Sequence, residues 1–339
     1  MLPRPTFADI LRARRVVSHY LPRTALLPAL SLSRLLGFHL HFKYENHQPI
    51  GAFKVRGGLN LVSALGAGER SRGVMTASTG NHGQSIAYAA RTFGVRAVIV
   101  MPEESNPDKV ESMANLGAEI IFFGRDFEDA RLQAEQQARD QEMYYVHPAN
   151  EPLLIAGVGT IGLEILEDLP SVQTIIVPIG AGSGVCGISI VAKSVNPQIQ
   201  VIGVQAERAP SVYLSWKERR IVDTPSCDTF AEGLATRTAF ALPLSIMHDL
   251  LDDMVLVSED ELKSAIVLLL EKAHTVVEGA GAASTAAAIK LKERLAGQTV
   301  VCVLSGGNLP LATLQRILAE RRPALVNTSV VGEAAERGM

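Results

Sequence analysis

The chain has 339 residues, 47% of them apolar and 20% charged, with a formal net charge of -3. That length exceeds one compact core and predicts two lobes, while the near-neutral balance excludes a broad surface for nucleic acid or acidic membranes. Arg12, Arg14 and Arg15 interrupt the stretch where the apolar part of a signal peptide would lie, and later apolar runs are broken too early to cross a membrane.

The first elements are a helix entered at Thr6, a helix over 30–36 and a strand over 39–45. From residue 73, short apolar runs alternate with amphipathic stretches. Strands are expected at 73–78, 95–102, 118–124 and 143–148, with helices over 82–94, 107–117 and 126–141. A second series follows. It has a helix over 155–166, a strand at 173–179, a Gly-rich loop opening a helix, and a strand at 200–205. An irregular stretch over 208–242 precedes a strand at 254–258, a helix from 259, an Ala-rich helix over 278–292, a strand at 299–305 and a helix over 309–321. Strand–helix alternation of this kind predicts an α/β fold: two open, mostly parallel sheet lobes with helices on both faces. The expected division is residues 1–70 with 149–325 as the large lobe, 71–148 as the small lobe, and 326–339 as a polar, frayed tail. Ligands of such sheets sit beyond the carboxyl ends of the strands.

Four motifs fall at those ends. In GAFKVRGG, residues 51–58, Lys54 sits among glycines and apolar side chains. Desolvation would favour its neutral amine, which can form a Schiff base with a carbonyl cofactor. Taken alone, Lys54 reads better as a lysine snorkelling to the surface from a buried turn. PIGAGSGVCG, residues 178–187, places Gly180, Gly182, Gly184 and Gly187 between a buried strand and a helix. Converging backbone N–H groups and a helix N-terminus there suit a phosphate, although a tight strand–helix turn needs some glycine too. ASTGNHGQ, residues 77–84, groups Ser78, Thr79, Asn81 and His82 at a helix start, where they could hold a carboxylate or merely cap the helix. LSGGN, residues 304–308, puts Ser305 after a strand as a neutral hydrogen-bonding group or an ordinary turn serine.

The second motif also carries a rival. Residues 182–187 match GxGxxG, and Glu207 lies at about the spacing of a ribose-binding acid, as in a nicotinamide-dependent oxidoreductase. That reading gives Lys54 and the ASTGNHGQ segment no role. Cys186, Cys227 and Cys302 are odd in number and widely spaced, which argues against disulfides or zinc and fits a reducing, cytoplasmic setting.

Together, GAFK, STGNHGQ, PIGAGSG and LSGGN resemble the fold type II enzymes of pyridoxal 5'-phosphate (PLP), the tryptophan synthase β-like fold. Within them the chain is most similar to the threonine/serine dehydratase and serine racemase group, from about Phe7 to Ala324. The resemblance implies a role for each matching residue. Lys54 would be the cofactor lysine and α-proton base, with Phe53 beside the pyridine ring. Asn81 would face the cofactor's 3-hydroxyl, and Ser78, Thr79, Asn81 and His82 would surround the substrate carboxylate. Gly180, Ala181, Gly182, Ser183 and Gly184 would form the phosphate loop, Gly233 would face the cofactor through its backbone, and Ser305 would meet the pyridine nitrogen. The implied reaction is β-elimination from an L-β-hydroxy amino acid, threonine or serine first. Alternatives are 3-hydroxyaspartate or 3-phenylserine dehydration, racemisation, β-replacement and a catalytically dead amino-acid sensor. Thr79 adds a hydroxyl where a racemase holds its second acid/base. Arg131 and Arg237 are candidates for a second substrate carboxylate, against plain surface roles. Members with a divalent-cation site carry an acid where Gln205 stands. A neutral amide binds such an ion poorly, leaving Glu207 and Glu278 as candidate ligands. A homodimer is expected, and the C-terminal regulatory domain of feedback-controlled members is expected to be missing.

Overall fold

A computed structural model describes residues 3–125 and 127–320. The expected frayed tail, 326–339, lies outside the described residues. Strands β1 (Leu26–Pro28) and β2 (His39–Lys43) come first. Strands β3 (Val74–Ala77), β4 (Ala97–Met101), β5 (Glu119–Phe122) and β6 (Tyr144–Tyr145) follow. They form a parallel sheet in the order β5-β4-β3-β6. Strands β7 (Thr174–Pro178), β8 (Gln200–Ala206), β9 (Asp253–Val257) and β10 (Thr299–Val303) return to the first sheet. Its order is β1-β2-β10-β7-β8-β9, parallel except for the β1–β2 pair.

The strands sort their side chains by the two-residue period. Ile175, Val177, Val301 and Val303 enter one core with the Pro152–Asp168 and Ser183–Val195 helices, while Ile176, Val300 and Cys302 enter the other with the Ala-rich Gly279–Lys290 helix. Both faces being covered explains why these strands read as unbroken apolar runs. Fully burying one such aliphatic side chain contributes about 1.5–3 kcal/mol. In the smaller sheet, Met75, Ala77, Val98 and Val100 pack on Ala130, Ala134 and Ala138, a stripe at four-residue spacing along the Phe127–Asp140 helix.

Some elements depart from expectation. Strand β2 stops at Lys43, and Glu45–His47 turns as a 3-10 helix that brings Glu45 to Arg56. Lys54, which one reading set in a buried turn, leads directly into a helix, Val55–Ala64. Its Gly57 and Gly58 are needed for contact, because a Cβ there would come within 3.0 Å of the Leu154 carbonyl oxygen or 2.6 Å of the Ser85 carbonyl oxygen. The stretch expected to be irregular contains the Ser211–Glu218 helix, and the Ala241–Leu250 helix begins just inside its end, with Pro243 in the first turn. A proline costs little there because the first N–H groups of a helix have no intrahelical acceptor.

Candidate active site

The LSGGN and GAFK segments are sewn together. Ala52 bridges Gly306, the Phe53 N–H donates to the Ser305 carbonyl at 3.0 Å, and the Gly307 N–H donates to the Gly51 carbonyl at 2.8 Å. Gly51 has φ +67°, and a Cβ on it would lie 2.5 Å from Asn308 Oδ1, so both its conformation and its surroundings require glycine. This joint holds Lys54 at the start of the Val55–Ala64 helix, with its carbonyl oxygen fixed by the Ser85 hydroxyl at 2.6 Å.

The Lys54 amine lies 3.2 Å from Ser183 Oγ and 5.3 Å from the centre of the Phe53 ring. Burial without a carboxylate partner lowers its pKa from 10.5 to about 8. It is therefore a half-buried lysine with an accessible neutral form, suited to act as a nucleophile.

Ser183 opens the Ser183–Val195 helix behind Gly182, whose φ of +98° is left-handed. A Cβ on Gly180 would lie 2.1 Å from the Gly233 carbonyl oxygen, and one on Gly184 would lie 3.2 Å from the Phe53 ring. The loop thus forms a cradle at a helix N-terminus, walled by Phe53 and Gly233, that side chains would fill. Gly187 belongs to a different job. A Cβ there would meet Gly159 N at 2.6 Å and the Ile155 carbonyl oxygen at 2.7 Å, so Gly187 sets the close approach of two helices.

The ASTGNHGQ segment divides its polar groups. Ser78 Oγ accepts the N–H of Gly83 at 2.9 Å and of Gly80 at 3.2 Å, so this hydroxyl caps the Asn81–Phe93 helix. Thr76 donates its hydroxyl proton to the Val146 carbonyl and so accepts from Nε2–H of His82, 3.0 Å away. Burial, with lesser contributions from Lys54 and His147, lowers the His82 pKa to about 3. His82 is a neutral, structurally engaged histidine, and its ring is not free for a carboxylate. Asn81 donates through Nδ2 to Glu278 Oε1 at 2.7 Å and accepts at Oδ1 from Asn308 Nδ2 at 2.7 Å. Thr79 is half-buried at the head of the same helix, and Ser305 is buried behind Phe53.

Several residues escaped the sequence reading. Asn308 lay inside a recognised motif but carried no assignment. Lys109, on the Pro107–Asn115 helix, forms an ion pair with Glu232, next to Gly233, and so ties an element of the smaller sheet to the cofactor loop's wall. Arg56 is fully buried and bridges Glu45 and Glu164, with Lys43 on Glu164 as well. No spacing rule announces such contacts, because the partners lie far apart in sequence.

Other expectations are corrected. Glu207 is paired with Lys290, whereas Glu278 precedes the first turn of the helix that Lys290 ends. About 18 Å of helix separates the two ends, so Glu207 and Glu278 cannot share an ion. Gln205 is buried with both ends of its amide occupied, accepting from Tyr213 N and donating to Thr236. Among the described residues no cluster of three or more His, Cys, Asp or Glu suits a metal. Arg131 pairs with Glu128 and Glu135 on its own helix, and Arg237 is exposed. The three cysteines are free thiols.

A family profile described as pyridoxal-phosphate dependent enzyme matches residues 17–306. The chain belongs to this family. Its cofactor is PLP, and the lysine amine, the side-chain-free cradle and the Asn81 wall fit that group. The family match and the helix-packing role of Gly187 overturn the nicotinamide reading, and Glu207 is no ribose ligand. The chain is 41% identical over 313 residues to an L-threonine ammonia-lyase of Thermotoga maritima, covering 92% of this chain and 78% of that protein. It is 36% identical over 317 residues to the catabolic L-threonine dehydratase TdcB of Staphylococcus aureus, covering 92% of each. Maize serine racemase superposes with a TM-score of 0.89 at 31% identity, covering 94% of this chain and 98% of that structure. The enzyme thus has the fold type II architecture expected from its motifs.

Proposed function

We propose that this PLP enzyme is an ammonia-lyase that eliminates the β-hydroxyl of L-threonine or L-serine as water, the released enamine tautomerising and taking up a water to give a 2-oxo acid and ammonia. The observation that carries the reading is the half-buried Lys54 amine, hydrogen-bonded to Ser183 without a carboxylate partner and held against the Gly180–Gly184 cradle. The names of the relatives in Thermotoga maritima and Staphylococcus aureus support the substrate class.

When bound, PLP supplies the electron sink that acidifies the amino acid's Cα–H. The chain's residues supply orientation and proton handling. Lys54 would be the residue that holds the cofactor covalently, and its free amine would be the base that takes the proton at the substrate Cα. The backbone N–H groups of Gly180 to Gly184, with the Ser183 hydroxyl, would hold the phosphate. Phe53 would pack beside the ring, and the Asn81 amide would donate to its phenolic oxygen. Ser305, a buried neutral hydroxyl, would be the partner of the ring nitrogen and would not favour its protonation as a carboxylate would, which suits elimination of the β-hydroxyl. The substrate carboxylate binds at the head of the Asn81–Phe93 helix, through backbone N–H groups and the Thr79 hydroxyl.

Thr79 favours a second reading. Its half-buried hydroxyl at that position would allow slow racemisation beside elimination. We also assign the two lobes to residues 1–70 with 149–325 and to 71–148. The enzyme is placed in the cytoplasm, where its three free thiols would stay reduced. It is placed there as a homodimer, for which exposed Leu27 and Leu30 beside edge strand β1 offer an apolar surface.

The test is the near-visible absorption of the purified protein before and after L-threonine or L-serine, with 2-oxo acid assayed in parallel. A band that shifts while 2-oxo acid accumulates is the expected result. A band indifferent to both amino acids, with no 2-oxo acid, would refute the substrate assignment.

A further inference from the structure

Glu278 has no part in the chemistry proposed above, yet it stands in the wall of the site. It precedes the Gly279–Lys290 helix, but its side chain does not cap that helix. Its backbone N–H donates to the Gly306 carbonyl at 3.1 Å, and its Oε1 accepts Nδ2 of Asn81 at 2.7 Å. On the other side of the amide, Asn81 Oδ1 accepts from Asn308 Nδ2 at 2.7 Å, and Asn308 Nδ2 also donates to the Ile50 carbonyl at 2.9 Å.

A carboxylate accepts hydrogen bonds and donates none, so Glu278 is satisfied by the NH2 end of the amide and not by its oxygen. Asn308 acts from the opposite end with a donor. The two neighbours therefore select one of the two amide orientations, and one N–H of Asn81 Nδ2 is left over for a ligand. Space has been cleared for this arrangement. A Cβ on Gly306 would lie 2.3 Å from Glu278 Oε1 and 3.3 Å from Asn81 Nδ2. A half-buried carboxylate is costly unless its hydrogen bonds are made, and here the Asn81 amide supplies one. Burial raises the Glu278 carboxyl above its usual 4.5, while the Asn81 hydrogen bond and the Lys109 charge favour the carboxylate.

We propose that Glu278 is a positioning residue, whose carboxylate orients the Asn81 amide so that an N–H rather than the carbonyl oxygen faces the cofactor's phenolic oxygen. The proposal rests on the assignment of Asn81 to that oxygen. Without the carboxylate the amide can rotate, and its Oδ1 would then oppose the phenolic oxygen, lone pair to lone pair.

The test uses full-length apo-protein titrated with PLP, reading both the affinity and the pH midpoint of the bound cofactor's absorption band. Asn81→Ala and Glu278→Leu should each weaken PLP binding about tenfold, the loss of one charge-assisted or one cofactor hydrogen bond. Both should move the band's midpoint in the same direction. The double variant should bind no worse than Asn81→Ala within about twofold, because the two side chains act as one unit. Glu278→Gln keeps an oxygen acceptor and should stay within about threefold of the parent. If Glu278→Leu does not fold, Glu278→Ala serves for the same comparison, since no cap is lost.

An Asn81→Ala effect without a Glu278→Leu effect would remove Glu278 from this role and leave the Asn81 assignment intact. Losses that multiply in the double variant would also overturn the proposal. An Asn81→Ala variant with unchanged affinity and spectrum would overturn the Asn81 assignment itself, and the proposal with it.

Discussion

Replacing Arg56 by Met should be among the most damaging single changes outside the site. Arg56 is completely buried and donates to Glu45 at 2.7 and 2.8 Å and to Glu164 at 2.6 and 2.9 Å. The cluster of Arg56, Lys43, Glu45 and Glu164 is neutral, and the substitution leaves it with one uncompensated negative charge. Lys43 still holds Glu164 at 2.6 Å, so Glu45 is the group stranded, with Thr24 and Gln48 as its remaining donors. Breaking a buried pair in this way costs about 3–5 kcal/mol. With a urea dependence of about 3 kcal/mol per molar, the unfolding midpoint followed by circular dichroism should fall by about 1–1.7 M. Adding Glu45→Gln restores neutrality and should recover about half of the loss. The acid limb provides an independent check. Burial pushes the Glu164 carboxyl up, but Arg56 and Lys43 outweigh it and hold the carboxyl below its usual 4.5. That contribution is fully present above pH 4.5 and is lost as pH falls through the lower folded value, so Arg56→Met should show a shallower acid decline. A loss below about 1 kcal/mol, or a double variant no better than the single, would refute the reasoning.

Further perturbations probe the site. Lys54→Ala should lose the covalent cofactor band and nearly all elimination; an unchanged turnover would remove Lys54 from the mechanism. Because burial disfavours the ammonium, PLP uptake by the apo-protein should rise with pH about a midpoint near 8, where an ordinary lysine would titrate at 10.5. Stopped-flow absorbance measures this, and a midpoint near the ordinary value would contradict the buried-amine argument. Gly180→Ala drives a methyl group against the Gly233 carbonyl oxygen, 2.1 Å away, and should weaken PLP binding tenfold or more in equilibrium dialysis, since such overpacking costs about 1–3 kcal/mol. Ser305→Asp should favour ring-nitrogen protonation and slow 2-oxo acid release; faster, cleaner elimination would count against a neutral Ser305.

The sequence by itself determined the alternation of strands and helices and the four segments proposed to carry the cofactor chemistry. These are local signals. The apolar run at 173–179 becomes β7, Thr6 caps its helix with Asp9 in a capping box, and the Lys54 and Gly180–Gly184 segments stand out by composition. Tertiary structure alone decided which side chains meet. Glu278 lies 197 residues from the Asn81 amide it holds, Asn308 lies 227 residues from the same amide, and Arg56 lies 108 residues from Glu164. Gly187 read as part of an anion loop until its neighbours Gly159 and Ile155 were in place, and His82 read as a carboxylate ligand until Thr76 occupied its ring. Periodicity and capping act within a few residues of chain. The partner of a buried charge or amide is chosen by the packing of whole layers, and no local pattern records that choice.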